Sequence, residues 1–451
     1  MKARFADHPR AGLLLFLALY ACVLAGLLPV LSLWLDEIMD LMVVRSGDTR
    51  ELLAGVAVNS GNAPLNYLIQ FWIVQVFGYS PFTGRLPEAL FSLASCGGVY
   101  VLARRLRLRW PVLAMAAFAL FPLQFRYALE ARPYSLALCL SIWSTVAFFQ
   151  LLDHPRSLGR AALYALSVAA GIYALPFTLF VPVSHFAWVL VTLRESGRRQ
   201  AMIAVGLAIA IAGLAFAPWY LHAVANWRAD PVVARAHDTV SLRVIPMILH
   251  ELTGAGYIGA VLVLLGVGAG LARGFGSAHD RWFWLLYVLI PVGSALAADA
   301  AFGYFPAIRQ VIFILAPLAL LFTLGVEALF VRWPSVALVL AVSLLIAGAI
   351  ANINFFRRPR ENWHTAAAIL ANEACVIYSP PDSRPYYSFF VPELAHRDCA
   401  PGTVPRMALV ISPYTLNNHS DERERQLKES GYEKRGELNP ATPRVEIYVR
   451  P

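Results

Sequence analysis

Apolar runs of 15 to 24 residues recur between residues 11 and 353. Wound as a helix that rises ~1.5 Å per residue, a run of this kind approaches the ~30 Å of a bilayer's hydrocarbon core. Eleven runs read as membrane spans: 11–34, 86–103, 111–126, 134–152, 161–175, 177–193, 201–218, 256–272, 282–299, 309–330 and 334–353. Residues 65–78, "LNYLIQFWIVQVFG", are shorter and carry Gln70 and Gln75, so they are read as a helix lying in the outer interface. From Phe355 the chain turns polar. The stretch 361–373 is amphipathic, 375–379, 408–412 and 445–449 look like strands, and 420–430 is a charged helix. The pattern predicts a polytopic α-helical membrane domain over 1–354 and a small soluble α/β domain over 355–451. The soluble domain contains no glycine-rich phosphate loop and no nucleophile elbow, and the chain shows no internal repeat.

Composition sharpens this reading. Of 451 residues, 59% are hydrophobic and 14% charged, as expected for a chain that is mostly in lipid. The net charge of +9 would suggest nucleic acid in a soluble protein. Here its placement decides: "RRLRLR" (104–109), "DHPRSLGR" (153–160), "RESGRR" (194–199), 272–281 and 331–334 all fall on the side of the basic N-terminus when 65–78 does not cross. That is the cytoplasmic excess of Lys and Arg that orients spans, and no nucleic-acid partner is implied. The first run ends in Leu-Asp-Glu without a small-residue cleavage site, so it is read as a retained helix. The outer side then receives 35–64, 126–134, 219–255, 299–309 and the C-terminal domain, which hold the unusual polar residues. Cys375 and Cys399 lie in that domain and are able to pair if it faces an oxidising compartment.

Three stretches offer chemistry. In "WLDEIMD", Asp36 and Glu37 follow the first run, with Asp40 one helical turn later. Asp36 is either the cap of a helix over about 37–45 or a general base at the water–lipid boundary. In "RYALEARPY" (126–134), Arg126, Glu130 and Arg132 stand between two apolar runs, and a charge left in the hydrocarbon costs roughly 2.5–3.5 kcal/mol. Arg132 is either an interfacial anchor or a planar, permanently charged fork for a phosphate, with Glu130 holding it. In "FGYFPAIRQ" (302–310), Arg309 stands beside Tyr304 at the outer mouth of a span. Arg85-Glu88 and His250-Glu251 are further candidates, and "HELTG" lacks the second histidine of a zinc helix, so no metal is assigned.

The order of "LDE" after the first run, "NAPLNYLIQFWIVQVFG", "GRLPEALFSLASCGGVYVLARRL", "LEARPYSLAL" and "FPAIRQVIFILAPLALL" resembles the GT-C-fold glycosyltransferases that use a polyprenyl-phosphate sugar, in the branch of protein O-mannosyltransferases and lipid A aminoarabinose transferases. The resemblance covers about 350 residues and is strongest over 32–140. It implies about eleven transmembrane helices with outer-face interfacial helices, and an inverting transferase that moves a sugar from a lipid-phosphate donor to a lipid, glycan or protein acceptor. It also implies a bacterial inner-membrane protein whose site faces the periplasm, with no cofactor beyond the donor substrate. Asp36 carries over as the catalytic carboxylate with Glu37 beside it, Arg132 as the donor-phosphate ligand supported by Glu130, and Arg309 as the weaker match. Arg85, Tyr67, Tyr134 and Tyr304 would line the substrate. The chain departs from the family's His-Pro-Pro-Leu-Tyr-Tyr, having Asn62-Ala63-Pro64-Leu65-Asn66-Tyr67. A transporter or flippase of lipid-linked sugars, and a noncatalytic scaffold, remain as rival classes.

Overall fold

A computed structural model describes residues 9–58, 63–193, 198–226, 250–251, 256–273, 278–302, 308–358, 360–373, 375–379, 383–400, 404–411, 420–437 and 445–451. They fall into two compact units. Among the described residues, the first takes in 9–29, 47–226 and 250–355, and the second 30–46 and 356–451.

The first unit is helical. Its elements are α1 (Pro9–Leu27), α3 (Thr49–Val58), α4 (Pro64–Phe77), α5 (Pro81–Arg105), α6 (Pro111–Leu120), α7 (Pro122–Tyr127), α8 (Tyr134–Asp153), α9 (Leu158–Ala174), α10 (Phe180–Val191), α11 (Arg198–Asn226), α12 (Gly256–Arg273), α13 (Ala278–Phe302), α14 (Leu315–Arg332) and α15 (Pro334–Arg357). Tight 3-10 segments, Pro176–Leu179 and Ile308–Ile314, lead into α10 and α14. All eleven apolar runs hold a helix, and among the described residues six are long and apolar enough to cross a membrane while five are shorter.

Two of the expected spans are corrected. The run 111–126 is not one helix: α6 stops at Leu120 and α7 starts at Pro122. Proline cannot take the α conformation onward from its predecessor, and Phe121 accordingly sits at φ −58°, ψ 121°. Ten residues of α6 reach only ~15 Å. The run 11–34 ends its helix at Leu27, just before Pro29. The segment 65–78 is a helix as expected, α4, with Asn66, Tyr67, Gln70, Phe71 and Val74 buried and Trp72, Val76 and Phe77 exposed.

Helix packing uses small residues where backbones meet. Gly266 and Gly270 on α12 face Gly325 on α14, and a methyl group built on Gly325 would run into the Gly266 carbonyl. Such spacing lets helices approach without side chains between them, which is how helices associate in lipid. Gly325→Leu is expected to destabilise the protein by more than about 3 kcal/mol, because neither backbone can yield. Size-exclusion profile and thermal melting check this, with Gly293→Ala, which meets nothing nearby, expected to behave as wild type.

Elsewhere a polar clamp joins four helices. His185 Nδ1 lies 3.0 Å from the Tyr164 hydroxyl and Nε2 3.2 Å from Thr145 Oγ1, which donates to the Tyr287 hydroxyl at 3.3 Å. The imidazole is stacked on Phe148 and Phe283, at 4.3 and 5.7 Å. Buried polar groups are retained where they satisfy one another, as these do.

The second unit contains α2 (Leu35–Val44), α16 (Trp363–Ala371), α17 (Arg384–Ser388), α18 (Ser420–Glu429) and a sheet of β1 (Val376–Ser379), β2 (Met407–Ile411), β3 (Glu433–Glu437) and β4 (Val445–Val449) in the order β1-β2-β4-β3. β1 and β2 are parallel, and the other pairs antiparallel. Ala408, Leu427, Tyr432 and Tyr448 form a buried cluster against the sheet. Cys375 and Cys399 are joined by a disulfide, their Cα atoms 5.1 Å apart. β3 has no counterpart among the strands expected from the sequence.

Candidate functional site

The turn between α7 and α8 is built by two prolines. Pro122 opens α7, and Pro133, which disfavours helical geometry in the residue before it, is the N-cap from which α8 begins at Tyr134. The Ser135 hydroxyl donates to the Tyr127 carbonyl at 2.8 Å and ties the two ends. The loop therefore presents Glu130 and Arg132 in a fixed frame.

Arg132 and Arg309 meet at one ring. Their guanidinium carbons lie 5.7 and 5.9 Å from the centroid of Tyr134, within cation–π reach. Tyr134 in turn packs on Tyr127, with centroids 4.4 Å apart, and Arg126 stands 5.6 Å from the Tyr127 ring. Arg126 feels the positive charge of Arg309. Glu130, fully buried, accepts from Arg126 Nε at 2.9 Å. Guanidiniums gathered on two buried tyrosines repel one another, and an anion placed among them offsets that repulsion. The 3-10 segment that carries Arg309 holds four β-branched residues, Ile308, Val311, Ile312 and Ile314, and Val311 leaves helical angles at φ −109°, ψ 20°.

Arg85 and Tyr67 belong to a deeper layer of the same unit. Arg85 is fully buried and donates from Nη1 to the Leu28 carbonyl at 3.1 Å. Gln70 donates from Nε2 to the Gly84 carbonyl at 3.2 Å and to Glu88 Oε1 at 3.4 Å. This polar seam joins α4 to α5. Tyr67 is buried beside it on α4. Tyr304 and Asn62 lie outside the described residues.

Asp36 and Glu37 lie in the second unit, on α2. The expectation that Asp36 caps a helix starting at 37 is corrected: α2 starts at Leu35, Trp34 is the capping residue, and Asp36 is the second residue of the first turn. Trp34 has no side-chain oxygen to offer, so the exposed N–H groups are met from elsewhere. Glu37 Oε2 reaches back to the Trp34 N–H at 3.5 Å, and Glu361 Oε2 accepts from the Leu35 N–H at 2.7 Å. Asp36 is partly exposed, whereas Glu37 and Asp40 are buried. At the other end of α2, Arg45 donates to the Phe389 carbonyl at 3.1 Å and lies over the Phe389 ring. Sequence reasoning missed Glu361. A single glutamate 326 positions from its partner leaves no local pattern.

Among the described residues no three His, Cys, Asp or Glu side chains gather as metal ligands.

No protein-family model matches the sequence, and no curated protein matches it. Solved structures do. ArnT from Cupriavidus metallidurans bound to undecaprenyl phosphate is similar over 98% of this chain and 98% of its own, with a TM-score of 0.60 at 15% identity. Its apo state gives 0.58 at 14% identity, over 97% and 98%. The archaeal oligosaccharyltransferase AglB from Archaeoglobus fulgidus, in complex with an inhibitory peptide and a dolichol-phosphate, gives 0.59 at 11% identity, over 88% of this chain and 64% of its own. The chain has the GT-C fold, and with its apolar helices it is a polytopic integral membrane protein.

Proposed function

We propose that the protein is an inverting glycosyltransferase that moves a sugar from a polyprenyl-phosphate donor to an acceptor at the outer face of the membrane. The observation that carries this reading is the convergence of Arg132 and Arg309 on the Tyr134 ring, with Arg126 close by. A fold shared along nearly its whole length with an ArnT that binds undecaprenyl phosphate supports it.

The chemistry follows from where charge develops. The acceptor's nucleophilic atom attacks the anomeric carbon from the face opposite the phosphate, one bond forms there, and the bond from that carbon to the phosphate oxygen breaks. The electron pair leaves with the polyprenyl phosphate, so negative charge grows on the leaving group and fixed cations stabilise it most in the transition state. Arg132 and Arg309 take that role, and Glu130 acts through Arg126 to hold the cluster. Phosphate departs without being protonated, so the pair of carboxyl groups used by glycosidases is not needed. One base suffices. Asp36, the partly exposed acid of α2, takes the acceptor's proton. Burial of Glu37 suits it to supporting α2.

Incubation of the purified protein with membrane extract and a panel of radiolabelled polyprenyl-phosphate sugars tests this. A labelled acceptor with at least one donor is expected, and its nature identifies the acceptor class. Labelled donor that crosses liposomes with no glycosylated product at all supports a flippase and contradicts transfer.

A further inference from the structure

Glu361 follows α15 and is 5% exposed. One of its carboxylate oxygens, Oε2, accepts two hydrogen bonds inside the second unit: from the Leu35 backbone N–H at 2.7 Å and from the Trp363 indole Nε1–H at 2.6 Å. Leu35 is the first residue of α2, so its N–H is among the donors that have no partner within the helix. A serine, threonine or asparagine at position 34 would satisfy such donors locally and without charge. The chain has Trp34 there, and brings a carboxylate from the far end of the sequence. Trp363, which orients that carboxylate, is itself buried against Tyr386 and Tyr387.

We propose that Glu361 is a positioning residue for transfer: it fixes the first turn of α2, and with it the carboxylate of Asp36 one residue beyond Leu35. The proposal rests on Asp36 being the base, as argued above. A charged acceptor makes shorter and roughly twofold stronger hydrogen bonds than a neutral one, so the ionised form of Glu361 holds the turn most firmly. Ionisation is not free here. Burial, with the nearby charge of Asp36 adding to it, pushes the Glu361 carboxyl up to about 7, while the bonds from Trp363 and Leu35 and the charge of Arg360 act the other way. Asp36 faces it from α2 and Arg360 from its own segment. The sign for stability is therefore opposite to the sign for activity. A carboxyl raised above its ordinary value contributes its full stability at low pH and loses it as pH rises through about 7. Across the same window the ionised group anchors α2 and activity rises. A group that lowers stability where the protein works is the pattern of a functional residue.

The test compares wild type, Glu361→Gln, Trp363→Phe and Asp36→Asn as full-length protein, reading kcat, donor KM, their pH profiles and melting temperature. For Glu361→Gln, kcat is expected to fall about tenfold or more, as small misplacements of a reacting group do. Donor KM should change less than about twofold, since the donor phosphate is assigned to Arg132 and Arg309 and not to Glu361. The wild-type rise in kcat near pH 7 should be absent in this variant, and its melting temperature at pH 8 should be no lower than that of wild type. Trp363→Phe removes a hydrogen bond that favours the charged form, so the rise should move to higher pH. An unchanged kcat and pH profile in Glu361→Gln, with Asp36→Asn inactive, overturns the proposal and leaves the transferase reading standing. Loss of melting temperature in parallel with kcat and KM makes Glu361 merely structural and also overturns it. Activity in Asp36→Asn removes the transferase base itself.

Discussion

Asp36→Asn is expected to reduce transfer by about 10²- to 10⁴-fold, the usual contribution of a positioned general base, while the protein folds and binds donor as before. The two side chains have the same shape, and asparagine is at home near a helix start, where Asp36 occupies the second position of α2. The amide has no lone pair basic enough to receive the acceptor's proton. Only the proton transfer is removed. Glu37→Gln should be much milder, because Glu37 is buried against the start of its own helix. Steady-state turnover with a donor that the wild type uses, paired with a melting curve, checks both. Near-normal turnover in Asp36→Asn rejects the assignment.

Arg132→Ala is expected to weaken binding of polyprenyl phosphate by about 10- to 100-fold, in line with ~1.5–3 kcal/mol for a hydrogen bond to a charged group. The loss in kcat should be larger still, because the phosphate carries more negative charge as the sugar departs than it does in the bound donor. Arg132→Lys keeps the charge but not the planar fork, so it should fall between wild type and alanine. Arg309 shares the Tyr134 ring with Arg132, so the double alanine variant should lose less than the sum of the two single losses. Arg126→Ala would behave differently. It leaves Glu130 buried without its ion pair to Arg126, a change that destabilises by about 3–5 kcal/mol, and its defect should appear in melting temperature. Donor affinity unchanged by Arg132→Ala takes this arginine out of the site.

Hydropathy made the helical unit readable, since an apolar run of span length has few other fates. Where it misled, proline was the missing detail: Pro122 cut the run at 111–126 and Pro29 ended the first helix early, both through the clash proline imposes on the residue before it. In the C-terminal unit, 376–379, 407–411 and 445–449 announced themselves by β-branched residues, but Glu433–Glu437, "EKRGE", has four charged residues and a mostly exposed face, and no sequence period marks it as a strand. The site was legible in part. Arg132 stood out as a charge between apolar runs, and Asp36 as an acid at the end of one. Convergence of Arg309 on Tyr134 depends on how a late helix packs against an early one, and the hold of Glu361 on Leu35 joins opposite ends of the chain. Pairings this distant are written in tertiary packing and in no local pattern.

A doubly labelled donor distinguishes transfer of the sugar from movement of the intact lipid. With tritium in the sugar and phosphorus-32 in the phosphate, the protein in liposomes should separate the two labels one for one, tritium passing to the acceptor and phosphorus-32 staying with the polyprenol. Labels that remain together, whether the donor crosses the bilayer or stays where it was, would contradict the account.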